Sequence, residues 1–147
     1  MINSFLSKDC TKAAVLFHSK KRMLEYISQI AQQKLPELTE QEILNSLLKR
    51  EKLGSTGIGK GIAIPHGRLS NIDKTVAILV VNAEPIAFDA IDDRPVDIFI
   101  TLLVPDAQCQ AHLKTLAAIA DKLKDKQFCK KLRHAQSDQS LYEIMTL

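Results

Sequence analysis

Two apolar runs leave this chain few ways to fold. Residues 76–81 (VAILVV) are apolar at every position and mostly β-branched, the pattern of a strand covered on both faces. Residues 96–104 (VDIFITLLV) make a second strand, with Val96, Ile98, Ile100, Leu102 and Val104 on one face and Asp97 and Thr101 on the other. Pro105-Asp106 stops it. Strands buried on both sides need helices above and below, so the expected fold is α/β, a three-layer α/β/α sandwich. The stretch EPIAFDAIDDRP, bracketed by Pro85 and Pro95, is a loop with room for a short strand. Links of hairpin length between the middle strands imply a mixed sheet.

The remaining elements fall around this pair. Residues 13–17 (AAVLF) read as a first strand. Leu24, Ile27 and Ala31, with Met23 and Ile30 beside them, recur at helical spacing over residues 20–33. Thr39-Glu40-Gln41-Glu42 matches a capping box, in which a threonine hydroxyl and a glutamate three residues on satisfy two orphan amides. Ile43, Leu44, Leu47 and Leu48 stripe the helix that follows, which should fray near residues 50–53. After the second strand, residues 109–124 predict a helix with Leu113, Leu116, Ala117, Ala120 and Leu123 inward. Shorter helices follow over 126–134 and from Ser137 or Asp138 to the end.

A chain of 147 residues fits one domain over 1–147, large enough to bury about 70% of its unfolded surface. No apolar run approaches the roughly 20 residues that span a bilayer. The start, MINSFLSKDCTK, lacks the charged head and apolar core of a signal peptide. Cys10, Cys109 and Cys129 are odd in number with no CxxC spacing, which argues against disulfides or a zinc ribbon and for a reducing cytoplasm. They read as small buried hydrophobes. A net charge of +3 is too small to argue for nucleic acid. The clusters Lys20-Lys21-Arg22 and Lys130-Lys131 with Arg133 read as solvated helix faces.

All five glycines lie in the 14 residues GSTGIGKGIAIPHG, 54–67. The run opens like a P-loop, but Gly61 stands where a magnesium-binding hydroxyl is required, and Ile62-Ala63-Ile64-Pro65 reads as a short strand rather than a helix. Dinucleotide-type glycine spacing is absent too. Glycines this close permit positive φ and let backbone amides form an anion-binding nest. Pro65-His66-Gly67 would then present an imidazole at the surface, with Arg50, Lys52, Lys60 and Arg68 around it. Two readings stay open on residues alone: an irregular turn with a half-exposed histidine, or a phosphoryl acceptor. His66 and His112 lack a third ligand for zinc, and His18 and His134 read as surface residues.

At this stretch the chain resembles the enzyme IIA component of the bacterial phosphoenolpyruvate-dependent phosphotransferase system, of the fructose/mannitol type. The likeness continues through SKKRMLEYIS, LLKREKLGSTGIGKGIAIPHGRL, AFDAIDDRPVDIFITLLVP, AHLKTLAAIADKL and AQSDQSLYEI. AFDAIDDRPVD and the length look most like the nitrogen-regulatory branch. The resemblance implies an α/β/α sandwich with a mixed sheet. It implies that His66 is phosphorylated on Nε2, that Arg50 of the REK motif neutralises the phosphoryl group, and that His112 hydrogen-bonds it. The regulatory branch often carries HLHTL where this chain has HLKTL, so Lys114 replaces a second histidine.

A cytoplasmic phosphocarrier is therefore expected, with no cofactor and no metal. The resemblance implies that it is phosphorylated by an HPr-like carrier, NPr, fed from phosphoenolpyruvate through an enzyme I. It also implies regulation of targets such as potassium transporters or sensor kinases. The alternative is a stand-alone fructose/mannitol-type IIA that passes phosphate to a IIB cysteine for sugar uptake.

Overall fold

The computed structural model describes residues 2–147, apart from the side chain of Cys109. A mixed sheet is built from β1 (Leu6–Val15), β2 (Gly57–Gly59), β3 (Ile62–Ala63), β4 (His66–Leu69), β5 (Val76–Ile86) and β6 (Val96–Pro105). Its helices are α1 (Lys20–Lys34), α2 (Glu40–Lys52), α3 (Cys109–Lys122), α4 (Lys126–Arg133) and α5 (Asp138–Thr146). The strand order is β1-β5-β6-β3-β2, and β4 also pairs with β6, beyond the end of β3.

The two apolar runs form the centre. β5 and β6 are antiparallel, with Val76 opposite Leu103 and Val81 opposite Ile98, while β1 joins β5 in parallel and β3 and β4 join β6 in parallel. One layer places α1 on β5 and α2 on β4; the opposite layer places α4 on β5 and α5 on β1. This is the expected α/β/α sandwich. Both faces of β6 are covered, since Phe99, Thr101 and Leu103 are as buried as Ile98, Ile100 and Leu102. Asp97 alone of its expected polar face stays partly accessible, held by Arg133 Nε at 3.0 and 2.9 Å.

α2 begins as the capping box requires: Thr39 Oγ1 accepts from the Glu42 amide at 3.1 Å and Glu42 Oε1 accepts from the Thr39 amide at 3.1 Å. Three expectations need correction. The first strand spans Leu6–Val15 rather than residues 13–17; it lies at the sheet edge, carries charged side chains and is interrupted by register shifts, so no apolar run marks it. The inward face of α3 is rotated from the one expected. Leu123 is buried and Leu116 and Ala120 pack partly against the core as expected, but Leu113 is 58% exposed and Ala117 is exposed, while His112, Thr115 and Ile119 are buried. The most apolar face misplaced Leu113 and Ala117 because two polar residues point in. Finally, Lys20 and Arg133 are not solvated charges: Lys20 pairs with Glu51 at 3.2 Å and Arg133 with Asp97.

Candidate phosphoryl site

His66 opens β4, opposite Leu102 of β6, so the sheet fixes where its ring starts. Gly67 then lets α2 lie against the strand. A Cβ at this position would stand 2.7 Å from Ser46 Oγ and 3.1 Å from Ser46 Cβ, contacts that no side chain tolerates unchanged. The glycine after the histidine therefore serves close packing of α2. One helical turn beyond Ser46 comes Arg50, delivered to the imidazole by that approach.

The ring is held at both nitrogens. Nδ1 lies 2.9 Å from the Ile64 carbonyl, and Arg50 Nε donates to Nε2 at 3.1 Å. Arginine can only donate, so Nε2 carries the lone pair and Nδ1 the proton, which it gives to Ile64. Arg50 is itself anchored by Nη1 donating to the Gly54 carbonyl at 2.8 Å. Burial pushes the His66 pKa below the usual histidine value and Arg50 adds to this, partly opposed by the Ile64 carbonyl. The neutral nucleophilic form is the resting one.

His112 projects from α3 to within 5.4 Å of His66, ring centre to ring centre, at an interplanar angle of 55°. It is only 6% exposed, and neither ring nitrogen has a hydrogen-bond partner. Burial first, then the neighbouring His66 and Arg68, lower its pKa from 6.5 to about 4. A buried polar ring without partners is costly. Arg50, His66, Arg68 and His112 line an open depression of about 700 Å³, rimmed by Leu53 and Leu113. The three histidine and arginine positions singled out from sequence thus meet at one place.

The glycine loop plays a different part from the one expected. Two of its amides are bound to carboxylates of the protein itself. Thr56 N donates to the Glu51 carboxylate at 2.9 and 3.2 Å, and Lys60 N donates to Asp92 Oδ2 at 2.9 Å. The nest closes on the protein's own carboxylates. Ser55 Oγ donates to the Phe88 carbonyl at 2.6 Å, so it is not offered to a phosphoryl group. Gly61, at φ +81°, packs where Arg133 Nη2 would be 2.6 Å from a Cβ, and Arg133 Nη2 reaches the Lys60 carbonyl at 3.0 Å. Lys60 therefore belongs to a scaffold and not to the histidine. Sequence reasoning missed Glu51 and Ser46. The first had a signal, its place beside Arg50 in REK; the second had none.

His18 and His134 are exposed, and Cys10 and Cys129 are buried; the Cys109 side chain lies outside the described residues. Among the described residues no group of three metal-ligating side chains is assembled, and no helix is long and apolar enough to cross a membrane.

This α/β/α sandwich with a mixed sheet matches the fold of phosphotransferase-type IIA domains. The chain belongs to that family: the family model for the phosphoenolpyruvate-dependent sugar phosphotransferase system, EIIA 2, matches residues 4–147. The nitrogen regulatory protein of Escherichia coli is 49% identical over 146 residues, covering 99% of this chain and 89% of its own length. The nitrogen regulatory protein IIA-Ntr of Neisseria meningitidis superposes with a TM-score of 0.93 at 32% identity, over 98% of both chains. The mannitol IIA of E. coli shares the fold at a TM-score of 0.75 and 21% identity, over 92% of this chain and 96% of its own.

Proposed function

We propose that this chain, as one domain over residues 1–147, is a phosphohistidine carrier of a nitrogen-regulatory phosphotransferase branch, working in the cytoplasm. The observation that carries the reading is Nε2 of His66, a lone pair capped by Arg50 in a half-buried, neutral ring.

The donor is a phosphohistidine on an HPr-like carrier, NPr. As it approaches, Nε2 attacks phosphorus in line while the donor's P–N bond breaks and its electron pair returns to the donor imidazole. No proton needs to move. The transition state is loose and metaphosphate-like, so positioning and charge stabilisation dominate. The Arg50 fork leaves Nε2 and engages phosphoryl oxygens, tethered throughout by Gly54. Positive charge developing on the His66 ring is met by the Ile64 carbonyl at Nδ1. His112 turns an N–H toward a phosphoryl oxygen, which satisfies a ring nitrogen that has no partner in the resting state.

The nitrogen-regulatory names of the relatives favour regulation over sugar uptake: adding roughly two negative charges beside Arg50 changes which protein surfaces bind here. Targets of the kind implied by the resemblance are potassium transporters and sensor kinases. Incubation with phosphoenolpyruvate, enzyme I and the carrier should add about 80 Da in an acid-labile form, and His66→Ala should add nothing. An adduct that survives this substitution would overturn the assignment. Transfer onward to a carbohydrate IIB cysteine at a useful rate would replace the regulatory reading with the uptake one.

A further inference from the structure

Behind the histidine runs a closed circuit of hydrogen bonds. The Glu51 carboxylate accepts from Thr56 N at 2.9 and 3.2 Å; the Thr56 carbonyl accepts from Ile64 N at 3.0 Å; the Ile64 carbonyl accepts from His66 Nδ1 at 2.9 Å; and His66 Nε2 accepts from Arg50 Nε at 3.1 Å. Arg50 and Glu51 are neighbours in α2, so the circuit closes through one peptide bond.

We propose that Glu51 is a positioning residue for the phosphoryl acceptor, acting through the Thr56 and Ile64 peptides to hold His66 in the Nδ1–H tautomer with Nε2 facing outward. The inference rests on the reading of His66 as that acceptor.

Three features support the role. The Glu51 side chain is only 6% exposed, so its carboxylate is committed to these partners. Lys20 Nζ balances its charge at 3.2 Å and is itself fixed over the Phe88 ring, 4.4 Å from the centroid. The Glu51 carbonyl also accepts from Gly54 N at 3.1 Å, which sets the Gly54 carbonyl that tethers Arg50. One residue thus orders both the acceptor ring and the guanidinium that caps it. The tautomer matters because a ring with its proton on Nε2 has no lone pair there to attack phosphorus.

The test combines the nitrogen-15 spectrum of the His66 ring with transfer kinetics from the phosphorylated carrier. In wild type the Nδ1–H tautomer should dominate. In Glu51→Ala the two tautomers should mix, and kcat should fall about tenfold or more with KM for the carrier held within about twofold, since positioning is lost and docking is not. Glu51→Gln keeps an acceptor oxygen at the same reach, so it should retain the tautomer and transfer within about threefold of wild type. Glu51→Asp, one methylene shorter, should behave like the alanine variant. Wild-type tautomer and kcat in Glu51→Ala would overturn the proposal, as would slow transfer with an unchanged tautomer. If Glu51→Ala does not fold, the remaining pair decides. Glutamine better than aspartate supports the role, and aspartate equal or better overturns it, because charge would then outweigh reach. Failure of wild type to take up phosphoryl would instead count against the function, and the tautomer comparison would still decide what Glu51 holds.

Discussion

Arg50 sits on the lone pair that its neighbour must use. At 3.1 Å from Nε2 it covers the lone pair at rest, and on the proposed function it is already placed to receive phosphoryl oxygens. Arg50→Ala should slow phosphorylation of His66 by about 10²- to 10³-fold, comparable to deleting one oxyanion donor, measured as single-turnover transfer from the carrier. Arg50→Lys should recover little, because an ammonium lacks the planar fork that bonds His66 and Gly54 together. Transfer at the wild-type rate in either variant would remove the role. A second expectation concerns His112, whose pKa is held at about 4. A phosphoryl dianion on His66 should move it upward, because an adjacent negative charge favours the imidazolium. Titration of the phosphorylated and free protein by proton NMR reads this directly, and a pKa unmoved by phosphorylation would place His112 away from the group. At this scale the sequence was informative where chemistry is local. The residues alone placed His66 and Arg50 near each other, and the resemblance carried in IPHG and REK singled them out, but the partner of Glu51 lies five residues away across a turn and leaves no periodic trace.

Elements meet at the site because a glycine in β4 lets α2 come close. Gly67→Ala should destabilise the fold by about 1–3 kcal/mol, the usual cost of overpacking, since the added methyl meets Ser46 Oγ and Cβ. Urea unfolding measures it. Ser46→Ala in the same chain should restore part of the loss by removing the nearer atom, and strict additivity of the two substitutions would contradict the contact. Which elements were legible follows from how each is stabilised. α2 carries its own start signal in the Thr39 capping box, and β5 and β6 each hold a long apolar run, so composition alone marked their centres. β1 is an edge strand whose charged residues face water, and a local apolar run could not reveal it. The inward face of α3 was only partly legible, because polar His112 and Thr115 go in while apolar Leu113 lies at the rim of the depression.

The whole molecule holds two histidines in their neutral forms, and this should show in its acid stability. Both fold with pKa values below 6.5, and His112 titrates at about 4. Below pH 6.5 the unfolded chain takes up protons that the fold refuses. Stability from this source is therefore complete above about pH 6.5 and is lost as the pH falls toward 4. The His112 share is on the order of 3–4 kcal/mol, from a drop from 6.5 to about 4 at about 1.4 kcal/mol per pH unit. His112→Leu should flatten the decline in urea-unfolding free energy between pH 7 and 4.5, and an unchanged slope would show that the ring is not held neutral. Layer architecture and strand pairing bring α2, β4 and α3 to one depression, and the central expectation is which nitrogen there reacts. The most direct measurement is phosphorus and nitrogen-15 NMR of the chain labelled at its histidines and phosphorylated from phosphoenolpyruvate through enzyme I and the carrier. Phosphorus bonded to Nε2 of His66, with Nδ1 still protonated, is the predicted result; phosphorus on Nδ1, or on any other residue, would contradict it.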